Sequence, residues 1–353
     1  MQDINTNNIH TLTALISKAR KITIVSHMKP DGDAIGSCVG MYHFLDVCGK
    51  TDRCIVLPHR APAYLDFLID RETALNTFIH EDKPRQAEAA IRDSDLIICL
   101  DFNAFHRTDR LENLLNESKA DKILIDHHLN PDRTKFTLSF SETEISSASE
   151  LTYQLLMRTP QINGDAGKLP QRTSIALMTG MTTDTNNFAN SVFPSTLRMA
   201  ADLMETGVDR GAILAELYNQ YRETRMRLMG HVLKDLMVIT PDGVAYIILD
   251  SEVLKKYYIE EGDTEGFVNL PLSIAKVKMS LLLKEDGDKI RVSIRSKKGI
   301  SANKCSQLHF NGGGHENAAG GRLYMPKDVS DIKEAAQYIE NHTHIFMTQE
   351  NEK

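Results

Sequence analysis

An α/β fold in two domains is what this sequence predicts, and three observations carry it. Short apolar runs alternate with stretches of helical period; a later set of strands with a strong hairpin signal is set apart by a long helical region; and 353 residues exceed the usual size of one domain. In order, "KITIVSH" (21–27), "DRCIVLP" (52–58), "DLIICLD" (95–101) and "KILIDHH" (122–128) are runs of strand length that end in polar residues. "AIGSCVGMYHFLDVCG" and "PRQAEAAIRDS" lie between them and read as helices, so the strands form a parallel sheet covered on both faces.

From about 147 to 235 the pattern is helical, with "SASELTYQLLMR", "QRTSIALMTGM", "STLRMAADLMETG" and "YRETRMRLMGHVLKDL" as helices and their methionines as core filling. Strands return in "GVAYIILD" (243–250) and "VKMSLLLKEDGDKIRVSIRS" (277–296), where "EDGD" is the turn. The expected division is a first domain over 1–205, a helical connector over 206–235 and a smaller α+β domain over 236–345.

A hydrophobic content of 41% with 25% charged residues describes an ordinary globular chain and excludes a disordered one. The apolar runs are too short to span a bilayer and the N-terminus has no signal-peptide core, so a cytoplasmic protein without membrane partners is expected. Five cysteines are scattered and never form a C-x-x-C pair, which argues against a disulfide framework and a cysteine zinc site. The net charge of −7 disfavours tracking along long nucleic acid, which needs many phosphate contacts.

In parallel sheets ligands collect beyond the carboxyl ends of the strands. His27, Asp101, Asp126, His127 and His128 all fall there, and "SHMKPDGDAIGS" adds Asp31 and Asp33 in a strand-to-helix loop. The bland reading of that loop is a Pro-Asp-Gly turn with Asp33 capping the next helix. However, "GMTTDTNNF" brings Asp184 from a further segment, and so many carboxylates at one edge would repel strongly unless a cation joined them.

Two ions suit this ligand set better than one. Mixed oxygen and nitrogen donors without thiolate favour manganese, with magnesium, cobalt and zinc as alternatives. A pair of ions is the usual arrangement for displacement at phosphorus. Phosphate ester hydrolysis needs accelerations toward ~10¹⁷, about 23 kcal/mol, while a positioned histidine contributes only ~10² to 10⁴.

"SHMKPDGDAIGS", the aspartate of "CLDFN", "IDHH" and "TTDTNNF" resemble the four successive motifs of the DHH phosphoesterase superfamily. "FNGGGHENAAGG" (310–321), with "IRSKKG" (294–299) before it, resembles the signature of the DHH-associated C-terminal domain. The resemblance implies that His27 and Asp31 bind one metal, that Asp33, His127 and Asp184 bind the other, and that Asp101 bridges them. It further implies that Asp126 orients an imidazole, that His128 faces the substrate phosphate, that Arg107 approaches it, and that water activated by two metals attacks phosphorus. One departure is Asn186, where relatives often carry glycine; it bears on the adjacent pocket wall.

In that family the second domain closes over the metal site and holds the substrate end that is not cut. Arg295, Ser296 and the run Gly312, Gly313, Gly314 and His315 are expected to form this phosphate site, the glycines letting successive amides converge on an anion. A flexible turn is the alternative for the glycines, and a solvated charge run is preferred for Lys297 and Lys298. His10, His59, His80, His342 and His344 read as surface residues, and His43 as a packing residue.

The two-domain architecture is most similar to the nano-RNases, which implies a manganese-dependent phosphoesterase. Its substrates would be short oligoribonucleotides, degraded to mononucleotides, and 3′-phosphoadenosine 5′-phosphate, converted to AMP. The alternatives are a phosphodiesterase for cyclic di-AMP or pApA and a non-catalytic nucleotide sensor. The oligomeric state stays open, a homodimer among the options.

Overall fold

The computed structural model describes residues 4–219, 221–260 and 262–351 and shows two compact units, residues 1–220 and 221–353. The boundary falls inside the stretch expected as a connector. Its first helix, Arg210–Tyr218, puts Ile213 and Leu217 into the first unit's core, and its second, Glu223–His231, puts Leu228 into the other unit.

The first unit is built on a parallel sheet of six strands: β1 (Ile22–Val25), β2 (Arg53–Leu57), β3 (Thr77–Ile79), β4 (Leu96–Leu100), β5 (Asp121–Asp126) and β6 (Leu138–Ser141), in the order β3-β2-β1-β4-β5-β6. Successive residues of the inner strands point to opposite faces, and both faces are apolar. Ile98 and Leu100 enter one core while Ile97 and Cys99 enter the other, which is why these runs lack alternation. The edge strands β3 and β6 were not among the four expected, because their three and four residues are only partly buried and carry Thr and Ser.

The second unit carries a mixed sheet in the order β11-β12-β10-β9-β8-β7. Its strands are β7 (Val238–Ile239), β8 (Val244–Leu249), β9 (Met279–Asp286), β10 (Lys289–Ser296), β11 (Gly313–Gly314) and β12 (Ala318–Tyr324). β9 and β10 form the expected hairpin about Gly287, at φ +66. Helices Ala302–His309 and Ala335–Asn351 cover one face of this sheet. Among the described residues, no helix is long and apolar enough to cross a membrane, and all five cysteines are free thiols.

Several histidines depart from the surface reading. His80 is buried beside Glu88, and the ring nitrogen Nδ1 of His342 lies 3.2 Å from that of His309, with Tyr338 stacked on the His342 ring. Burial lowers the pKa of both His309 and His342, and for His309 the neighbouring ring adds to it. Both folded values lie below the unfolded one, so this stabilisation is complete above about 6.5 and is lost as pH falls through the folded values. The melting temperature of the full chain should drop between pH 7.5 and 5.5, and drop less in His342→Gln; an equal drop in both would contradict this.

Candidate active site

The strand order reverses its direction of winding between β1 and β4, and the crevice beyond their carboxyl ends is where ligands of such sheets bind. Ser26 donates to the Leu100 carbonyl at 2.8 Å and ties the two strand ends together. His27 follows β1, Asp101 follows β4, and Asp126, His127 and His128 close β5. Asp101 turns the chain in the left-handed region, at φ +64.

Two helices bring the remaining carboxylates. Gly32–Val47 and Gln171–Asp184 run antiparallel at backbone contact, since a Cβ at Gly36 would stand 2.5 Å from the Ala176 carbonyl oxygen and one at Gly32 would strike Thr183. The start of one helix, with Asp31 and Asp33, therefore meets the end of the other, with Asp184. The cap of the first helix is Asp31 rather than Asp33: its side chain accepts from the amides of Asp33 and Ala34 at 3.0 and 3.1 Å. Asp33 is instead buried, and its oxygens accept from the amides of Ala148 at 2.6 Å and Ser149 at 2.9 Å.

All six expected metal ligands converge. His27 Nε2 stands 3.3 Å from Asp101 and 3.9 Å from Asp31, while His127 Nε2 stands 3.5 Å from Asp101, 3.6 Å from Asp184 and 3.8 Å from Asp33. Asp101 is shared by three groups of donor atoms close enough to hold an ion: His27–Asp31–Asp101 and Asp33–Asp101–His127, which contain expected ligands alone, and Asp101–Asp126–His128. Asp126 accepts from His128 Nδ1 at 2.8 Å, so the imidazole it orients is that of His128.

Most of these spacings are too long for hydrogen bonds, whereas ligand atoms that share one ion at about 2.1 Å stand about 3 to 4 Å apart. His27 Nδ1 faces the Met28 carbonyl at 2.9 Å, which can only accept, so Nδ1 carries a proton and a neutral ring turns its Nε2 lone pair toward two carboxylates. That arrangement is unfavourable without a proton or a cation between them. Among the described residues, Asp101 Oδ1 is buried with no hydrogen-bond partner.

The electrostatics point the same way. Burial, then the charges of Asp101 and Asp184, push Asp33 well above the usual carboxylate range, and burial pushes Asp184 up to about 6. Asp101 goes the other way: burial would raise it, but the close imidazoles of His127 and His27 hold it well below that range. His127 and His27 are raised, because contacts with the carboxylates outweigh burial. The cluster is short of positive charge, and the donor set fits divalent ions.

Around this centre, the Arg107 carbonyl accepts from the Met28 amide at 2.7 Å, and the Arg107 charge acts on His27. His59 is not a bare surface residue: its Nδ1 accepts from the Lys29 amide at 3.2 Å and its Nε2 stands 3.5 Å from Asp109. Asn186, at φ +46, occupies the left-handed region in which asparagine is the usual substitute for glycine, so this wall keeps a backbone that glycine would also adopt.

In the second unit, Arg295 and Ser296 end β10. Arg295 Nη1 donates to the Ile294 carbonyl at 3.0 Å; Ser296 donates to the Ile300 carbonyl at 2.6 Å and accepts from Asn317 at 3.0 Å. The glycine run is neither a flexible turn nor a set of amides converging on an anion. Gly313 and Gly314 pair with Gly320 and Ala319, and the amides of Gly312, Gly314 and His315 donate to Ser306, Asn303 and Ala318. Gly312 and Gly314 are required by close approach, since a Cβ would stand 1.9 Å from the Gly320 oxygen at the first and 2.6 Å from the Ala318 oxygen at the second. Lys297 is likewise no solvated charge: it donates to the Ile274 carbonyl at 2.9 Å.

Known proteins resemble this chain along most of its length. The model of the DHH family N-terminal domain matches residues 21–181, and that of the DHHA1 domain matches 243–341. A bifunctional oligoribonuclease and PAP phosphatase NrnA of Thermus thermophilus is 31% identical over 86% of this chain and 84% of its own length. The chain belongs to the DHH family. As a DHH protein with such relatives it is a phosphoric ester hydrolase.

Two further similarities frame this DHH enzyme. The crystal structure of an exopolyphosphatase-related protein from Bacteroides fragilis superimposes with a TM-score of 0.89, at 35% identity and 99% coverage of both chains. A cyclic-di-AMP phosphodiesterase PdeA of Listeria monocytogenes is 25% identical over 93% of this chain but only 48% of its own. Neither Glu150 nor the amides that hold Asp33 were singled out in the sequence. The signal was present as Ser-x-x-Glu in "SASE", a capping-box pattern at the start of a helix.

Proposed function

We propose that this protein hydrolyses short oligoribonucleotides to mononucleotides and removes the 3′-phosphate of 3′-phosphoadenosine 5′-phosphate, using two divalent ions, manganese by preference, in the cytoplasm. The single observation that carries the reading is Asp101, a buried carboxylate shared by two ligand clusters at the switch point of the sheet. His27 and Asp31 would hold one ion, and Asp33, His127 and Asp184 the other. When bound, the ions would polarise water and neutralise charge on the phosphoryl group.

The chain's own residues do the positioning. Asp126 fixes the ring of His128 through Nδ1, which lets His128 address the phosphate, and Arg107 adds positive charge beside His27. Arg295 and His315 of the second unit are proposed to bind the phosphate of the substrate end that is not cut. Ser296 and the three glycines support them through the hydrogen bonds and close packing described above. A handful of phosphate contacts is all that a small substrate requires, which suits a chain of net charge −7.

The resemblance to PdeA favours a second reading, hydrolysis of cyclic di-AMP or its linear product pApA. A panel of di- to pentaribonucleotides, 3′-phosphoadenosine 5′-phosphate, pApA, cyclic di-AMP and long RNA, run with manganese, separates the two. The first reading expects turnover of the short oligoribonucleotides and little of long RNA; preference for cyclic di-AMP favours the second. In the same panel Arg295→Ala should raise KM for dinucleotides by roughly tenfold, the loss of one charge-assisted phosphate contact. An unchanged KM would remove Arg295 from the substrate site.

A further inference from the structure

Glu150 is a carboxylate without access to solvent, and nothing in the chemistry above uses it. It is the third residue of the helix Ala148–Leu156, whose N-cap is Ser147. Its Oε2 accepts from the Ser146 amide at 3.1 Å, from the Ser146 hydroxyl at 2.5 Å and from the Thr196 hydroxyl at 2.7 Å; Oε1 is buried with no partner among the described residues. A buried carboxyl group with one oxygen held by an amide and two hydroxyls is costly to take out of water, so the fold retains it against a penalty.

Its partners explain what it holds. The Ser147 hydroxyl takes the Glu150 amide at 2.9 Å, and the Glu150 side chain takes the amide before the cap. Of the three amides between, those of Ala148 and Ser149 go to Asp33, one on each carboxylate oxygen. On the other side, Thr196 accepts from the Phe193 amide at 3.1 Å, which fixes the far end of the segment that begins at Asp184. Glu150 thus ties together the cradle of Asp33 and the anchor of the Asp184 segment, and both aspartates face His127.

We infer that Glu150 is a positioning residue for one ion only, the one held by Asp33, His127 and Asp184. His27 and Asp31 are reached by none of its hydrogen bonds. This rests on the metal reading proposed above and adds to it an asymmetry between the two ions.

Manganese uptake by the full-length, chelator-stripped protein, followed by the electron paramagnetic resonance of the free ion, tests it. Two variants are used: Glu150→Gln keeps the shape and replaces the carboxyl group by an amide, and Thr196→Val removes the link to the Asp184 segment. Wild-type protein should bind two ions. Each variant should bind one as before and the other roughly ten- to hundredfold more weakly, with excess manganese restoring kcat. Unaltered affinity for both ions, or equal weakening of both, overturns the inference. So does loss of a cooperative melt in both variants, because Glu150 would then hold the fold rather than the site. Wild-type protein that takes up no manganese defeats the metal reading itself.

Discussion

Asp101→Asn should lower phosphoester hydrolysis by roughly 10³-fold or more while the chelated protein still melts cooperatively within a few degrees of chelated wild type. Stabilisation of transition-state charge by bound metal amounts to several kcal/mol, and each 1.36 kcal/mol is about a factor of ten. Asp101 is common to the His27–Asp31 and the Asp33–His127 clusters, so under the proposed two-ion reading the substitution would remove a ligand from each ion at once. An amide has one acceptor oxygen and cannot bridge two cations as a carboxylate does. Stability should hold, because the same change relieves repulsion: the Asp101 charge is among the causes that raise Asp33 and Asp184. Steady-state kinetics on a dinucleotide with manganese, beside a thermal melt, checks both halves. Activity within tenfold of wild type would show that Asp101 bridges nothing.

Chelation is the second large effect. Stripping the protein with EDTA should abolish hydrolysis and lower the melting temperature, and manganese should restore both. Ligand linkage sets the scale: an ion at 100 times its dissociation constant stabilises by about 2.7 kcal/mol, so two such ions contribute about 5 kcal/mol. The sign follows from the cluster itself, in which burial and mutual repulsion push Asp33 and Asp184 toward protonation when no cation is present. Calorimetry in EDTA and then in excess manganese reads this directly. Activity that survives exhaustive chelation would contradict it.

The inner strands were legible because β1, β2, β4 and β5 are nearly all apolar and lie between two covered faces. β3 and β6 were not, since short edge strands need only half an apolar pattern. The six converging side chains were legible because each stands at a strand or helix end in a recognisable stretch. Which aspartate caps the first helix was not legible: Asp31 and Asp33 are equally good caps by composition, and the choice is made by the amides of Ala148 and Ser149, far along the chain. The glycine run was misread for a related reason. Its tolerance for close approach is used by β12, and no local pattern says which neighbour a glycine makes room for.

Anomalous diffraction from crystals grown with manganese tests the central claim most directly. The account predicts two peaks roughly 3.5 to 4 Å apart. Asp101 should lie between them, His27 and Asp31 beside one, and Asp33, His127 and Asp184 beside the other. A single peak, peaks away from these side chains, or none at all would contradict it.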